Sequence, residues 1–362
     1  MRIRALYKLV LLSLLVISCS KINTPEIADS IVFSALGDNQ AAGVKASNPA
    51  DTAFLYDNGQ FWDKQSGGGY FLVEAYQAGT SVKYFTSPTT VMYHTDTDNK
   101  AWYIYNPHTR DFESRYWPQS FNLDFLAYMP VILPANANSN TVLDQNCHMS
   151  LHTFDAQTGS PTFLCDGLPL TKTGQAESKE FIYAWTENQS KEVVKEEENG
   201  RVKMTFKHPF SAVYVKISEA HSGTEINDIG FKNIYNQGVF NVKQNSWDCS
   251  GYGHDNDMMI LDLNDAIPTD IQLGHVYGPY LVLPQTLDRA DGENDVEILI
   301  KHTWRGQTIS KPVALPGVWE SGKKYTYSIL LGDSAENILV SVMVEPWAPG
   351  RDDDDNQVIE VK

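Results

Sequence analysis

Several features common in other classes of protein are scarce in this chain of 362 residues. Its leading apolar stretch, Leu9 to Ile17, is less than half of what a membrane-spanning helix requires. Cysteine is rare: Cys19, Cys147, Cys165 and Cys249 are all there is, and with Cys19 set aside the odd remainder excludes a closed disulfide framework. Cys147 and Cys165 are close enough in sequence to bridge, and two buried free thiols are an equal alternative. Positive charge is short as well. Lys plus Arg number 28 against 45 Asp plus Glu, a net charge of −17, with no basic stripe interleaved with aromatics. Such a surface repels phosphate backbones and excludes nucleic acid as a partner. Neither a Gly-x-Ser-x-Gly elbow nor a His-Glu-x-x-His pair occurs, and no carboxylate pair stands out from the scattered acids. The expectation is therefore no enzyme, no catalytic residue, no cofactor and no metal.

The N-terminus carries an address. Arg2, Arg4 and Lys8 flank the apolar run, which ends in Val16-Ile17-Ser18-Cys19. A basic flank, a short apolar core and a small residue before the cut make an export signal over residues 1–18. The last four residues resemble the lipobox of bacterial lipoproteins, which implies that Cys19 carries diacylglycerol and becomes the first residue of a lipid-anchored chain. Two or more acyl chains hold such an anchor stably, at about 0.8 kcal/mol per buried methylene. Residues 19–29 then read as a lipidated tether.

Beyond the leader the hydrophobic period is two. Ile31-Phe33-Ala35, Phe71-Val73-Ala75, Val202-Met204-Phe206, Val213-Val215-Ile217, Val296-Ile298-Ile300 and Ile338-Val340-Val342-Val344 all alternate, each bounded by turn-forming residues. No helix longer than a turn or two is expected. The pattern predicts an all-β chain of two tandem β-sandwich domains, 30–190 and 200–362, divided where residues 187–200 lose the alternating face and become rich in charge. Asp352 to Asp355 lack the ligand spacing and glycine of a calcium loop and read as a solvated connector to a last strand with Val358, Ile359 and Val361.

Three near-motifs are discounted on chemistry. Gly317 to Lys324 imitates a phosphate loop but has Lys324 where magnesium needs a hydroxyl, and it leads into a strand instead of a helix N-terminus. Cys147, His148, His152 and Cys165 are zinc-binding residue types without zinc spacing. His208, held extended by Pro209, reads as an end-of-strand packing residue. Trp102, Tyr103, Tyr105, Tyr116 and Trp117 offer either core packing or a sugar-stacking surface.

Ordered along the chain, Phe71-Leu72-Val73-Glu74-Ala75-Tyr76, Arg115-Tyr116-Trp117-Pro118, Leu123 to Pro130, Phe206 to Val215, Leu283-Pro284-Gln285 and Trp319 to Tyr327 resemble the fimbrillin-like proteins of Bacteroidetes, subunits and accessories of type V pili. The resemblance implies transthyretin-like or immunoglobulin-like sandwiches and an exported outer-membrane lipoprotein at the cell surface or in a fimbrium. It also implies assembly with other pilus subunits by β-strand addition, as stalk, tip or anchor. Carried over, it makes Ile31, Phe33 and Ala35 a removable first strand, residues 37–52 the cut region, and Val358, Ile359 and Val361 a terminal strand that closes the second sandwich or reaches a neighbour. One departure matters: the resemblance implies a trypsin-like or arginine-specific cut, yet no arginine lies between Ser20 and Thr109. Either another protease acts, with Lys45, the loop's only basic residue, as the candidate processing site, or the chain stays uncut as an anchor, tip or unpolymerised lipoprotein. The alternative is an unassembled surface lipoprotein that binds a host glycan or protein.

Overall fold

The computed structural model describes residues 30–37, 70–94, 101–134, 139–197, 200–220, 224–254, 256–262, 273–274, 276–289, 295–332, 337–347 and 357–361. The first half comprises β1 (Phe33–Gly37), β2 (Tyr70–Gln77), β3 (Thr89–His94), β4 (Ala101–Asn106), β5 (Asp111–Phe112), β6 (Leu123–Met129), β7 (Val131–Ile132), β8 (Val142–Leu143), β9 (Met149–Asp155), β10 (Ser160–Cys165), α1 (Lys172–Glu177), β11 (Ile182–Gln189), α2 (Lys191–Glu197) and β12 (Val202–Phe206). The second comprises β13 (Ser211–Ala220), β14 (Thr224–Ile234), β15 (Gly238–Asn241), β16 (Ser246–Asp248), β17 (Asn256–Asp262), β18 (Val276–Val282), β19 (Gln285–Thr286), β20 (Glu297–Trp304), β21 (Gln307–Ala314), β22 (Val318–Trp319), β23 (Lys323–Leu331), β24 (Ile338–Pro346) and β25 (Gln357–Val361). The chain is all-β, as its period-two pattern predicts.

A first sheet runs β11-β6-β2-β3-β4-β1-β12, with β5 attached to β4. Its two ends meet: Lys207 N–H donates to Tyr183 O at 2.7 Å, Tyr183 N–H returns a bond at 3.2 Å, and Thr186 Oγ1 donates to Lys203 O at 2.7 Å. The sheet thereby curls around a core that includes Phe33, Phe71, Trp102, Phe125 and Phe206. Two further sheets, β18-β13-β23-β24-β25 and β17-β14-β20-β21, face each other across a second core that contains Val215, Phe231, Ile300, Trp319 and Tyr327. On β20 and β23 the burial alternates along most of the strand, because one face meets the core and the other is open to water.

Between these bodies lies a four-stranded bridging sheet, β16-β15-β10-β9. Its third core joins residues from both halves of the chain, among them Leu126, Tyr128, Phe163, Phe181, Phe210, Phe240 and Leu281. Strands β2 and β6 are consequently buried on both faces: Phe71, Val73 and Ala75 enter the first core while Leu72 and Tyr76 enter the third. That is why the run Leu123–Met129 is apolar at nearly every position.

The topology departs from the division at residues 190–200. Strand β12 belongs to the first sheet, where it lies parallel to β1 from Phe33↔Val202 to Gly37↔Phe206. Strands β15 and β16 pair back onto β10. The charged segment read as the domain boundary also takes part in packing, because its helix α2 inserts Val194, 1% exposed, into the first core. An acid-rich stretch with one apolar side chain per turn hides such a plug from any reading of alternation. Both helices are short, as expected.

Candidate functional site

Strand β1 occupies an interior position although it stands near the beginning of the chain. On one side it is antiparallel to β4 through Phe33↔Trp102, and on the other it runs parallel to β12. Just before it, Ile31 N–H donates to Arg115 O and Val202 N–H donates to Val32 O, both at 2.7 Å. Ile31, Phe33 and Ala35 are buried together in the first core. The Phe33 ring meets Phe125 edge-on at 5.6 Å and Phe71 at 6.2 Å, the arrangement the aromatic quadrupole favours. The neighbouring face is covered too: Val32 is fully buried with Ala101 and Tyr103 beneath Phe112. The alternation Ile31-Phe33-Ala35 did not single out Val32, whose apolar character was the only available signal.

The geometry has a direct chemical meaning. A strand in this seat satisfies open backbone groups on β4 and β12 and fills a row of core positions lined by Phe71, Trp102, Phe125 and Phe206. Any extended segment with apolar side chains at alternate positions meets the same requirements. Strand β25 is placed differently, at the margin of its sheet, antiparallel to β24 from Val340↔Val361 to Val344↔Gln357, with Val358 and Ile359 opposite Met343 and Val342. Cys19 and Lys45 lie outside the described residues.

The remaining candidates separate. Cys147 and Cys165 are buried free thiols and Cys249 a partly buried one, and removal from water pushes each up to about 12. His148 caps a single 3-10 turn at φ 56° and lies 3.3 Å from Ser178 Oγ, while His152 is exposed on β9. Among the described residues no group of three or more His, Cys, Asp or Glu side chains converges on one point as metal ligands would. The segment Gly317 to Lys324 passes through β22 into β23, with Gly322 in the left-handed region at the turn. His208 stacks on Trp347 at 4.6 Å and pairs with Glu180. Trp102 and Tyr103 are buried on opposite faces of β4, while Tyr116 is 61% exposed.

A buried carboxylate that the sequence reading missed is fully engaged. Glu74 accepts from Tyr76 Oη at 2.5 Å and Tyr128 Oη at 3.2 Å, and pairs with Lys83 at 2.7 Å. The Tyr76 and Tyr128 hydroxyls are held well above their ordinary range, first by burial and then by the adjacent negative charge. This cluster ties β2 to β6 on the face of the third core. A lone Glu within an apolar run was its only mark in the sequence.

The described residues thus form an all-β framework of packed sheets in which β1 lies inside the first sheet, between β4 and β12. The family model of the fimbrillin-like proteins matches residues 56–347, and the chain belongs to that family. It is similar in fold to a fimbrial protein from Bacteroides vulgatus, at 14% identity and a TM-score of 0.54, with 88% of this chain and 99% of that one covered. A likeness also extends to the C-terminally truncated tip fimbrial protein of Porphyromonas gingivalis, at 11% identity, a TM-score of 0.40 and coverage of 78% and 95%. No curated protein matches the sequence.

Proposed function

We propose that this protein is a lipid-anchored subunit or accessory of a type V pilus, assembled by strand exchange. The observation that carries this reading is the seat of β1: a strand with Phe33 and Ala35 buried in the first core, between two strands that arrive much later in sequence. Proteolysis after β1, with Lys45 as the basic residue available, frees the strand to leave. Its departure exposes the Phe71, Trp102, Phe125 and Phe206 surface and two open backbone edges. A partner strand then restores both the ladder and the core, which is the physics of β-augmentation. Strand β25, which pairs only with β24 at a sheet margin, is the donor segment in this reading. Cys19 carries the anchor, and the exported chain works at the cell surface or in a fimbrium.

The test uses the mature chain with and without residues through Lys45. Size-exclusion chromatography and electron microscopy should find monomers of the uncut chain and ladders or filaments of the trimmed one. A trimmed chain that stays monomeric, or unfolds without assembling, defeats strand exchange for this protein.

A further inference from the structure

A cleft of about 500 Å³ opens where the bridging sheet approaches the two-stranded β19–β22 ladder, and no residue of β1 lines it. Two indoles line it, and both turn their N–H groups inward: Trp247 Nε1 donates to Pro209 O at 2.7 Å, and Trp319 Nε1 donates to Tyr327 Oη at 2.9 Å. Of the two only Trp247 keeps accessible surface, and what it presents to the cleft is therefore carbon. Trp319 is fully buried, whereas Trp247 is half-buried and braced by Phe210 at 5.5 Å and Phe240 at 5.2 Å. Gln285 is structural, since its amide is saturated by Tyr235, Leu283 and Arg289.

The rim is polar and mixed. Asn245, at φ 49° in the β15–β16 turn, accepts from Tyr183 Oη through Oδ1, which leaves its amide NH₂ toward solvent. Ser246, Thr286 and Glu320 are exposed, and Lys323 is partly so. Neither Glu320 nor Lys323 forms an ion pair among the described residues. Carbon surface is thus ringed by hydroxyls, an amide, one carboxylate and one ammonium.

Chemistry selects among ligands. A wholly apolar molecule would strip water from Glu320 and Lys323 without replacing it. A phosphorylated one meets a single lysine beside a carboxylate, on a chain of net charge −17. A polyhydroxylated ring offers an apolar C–H face for the indole and equatorial hydroxyls for donors and acceptors alike, and the volume lies in the range of small-molecule sites. We propose that this cleft is a binding site for a neutral saccharide of one or two rings. The proposal is independent of strand exchange, because the cleft is complete in the uncut monomer.

The experiment titrates the uncut chain with lactose, maltose, cellobiose and N,N′-diacetylchitobiose, read by tryptophan fluorescence and saturation-transfer NMR. At least one sugar should bind saturably, with a Kd in the millimolar range, and Glu320→Gln and Lys323→Met should each weaken it about tenfold or more. Both substitutions are at the rim and should leave the circular dichroism unchanged, so the result does not depend on the riskier Trp247→Ala. The proposal is overturned if none of the four sugars binds, if the rim variants bind as well as the parent, or if triglycine binds in their place.

Discussion

Phe33 has no solvent face, and its ring is held by Phe71 and Phe125 in a core completed by residues from six other strands. Phe33→Ala should therefore cost about 3–5 kcal/mol, measured as a lowered midpoint in denaturant with an unchanged slope. His302 supplies a second residue-scale test. It is 3% exposed on β20, its Nδ1 finds no partner among the described residues, and burial lowers its affinity for a proton below the ordinary value of 6.5. In the unfolded chain it binds a proton near pH 6.5; in the folded chain it does so only at lower pH. The unfolded state thus takes up more protons in that window, and stability falls as pH drops below about 6.5. His302→Leu should flatten this part of the stability profile in denaturant titrations between pH 7.5 and 5.5. A profile as steep as that of the parent would assign the slope to other groups.

At the scale of elements, β1 and β25 contrast. Both stand at ends of the described chain, yet one lies inside a sheet and the other at a sheet margin. An interior strand that is lost leaves two ladders open, whereas a marginal one leaves a single ladder open. A synthetic peptide of residues 30–37 should therefore occupy the seat in the trimmed chain and block filament growth, in proportion to its concentration, as followed by light scattering. The same peptide with Phe33→Ala and Ile31→Ala should be much weaker, because the backbone ladder survives while the core row is left half empty. Equal potency of the two peptides would place the recognition elsewhere.

For the whole molecule, the lipid reading rests on one atom: Cys19→Ser should move the protein from the membrane fraction to the soluble one, as judged by fractionation and immunoblot. Much of the architecture was legible beforehand because period-two burial is a local property: each of Val213-Val215-Ile217 and Ile338-Val340-Val342 reports its own inward face. Strand β1 was legible for the same reason, and so was the shortness of the helices among the described residues. What alternation cannot encode is the partner. Residues 202–206 look alike whether they open a second sandwich or close the first sheet beside β1, and β15 gives no local sign that it will pair with β10. Nor could Val32, Val194 or Glu74 be placed, since their roles arise from a second layer or a plugging helix formed by distant residues. The cleft beside Trp247 belongs to the same category, being assembled from three separate segments of chain. By itself the sequence determined strand character, the acidic charge balance and the resemblance to fimbrillin-like proteins, all carried by neighbouring residues. Only the tertiary structure decided which strands meet, because sheet pairing joins residues that are far apart along the chain and is selected by how the cores close.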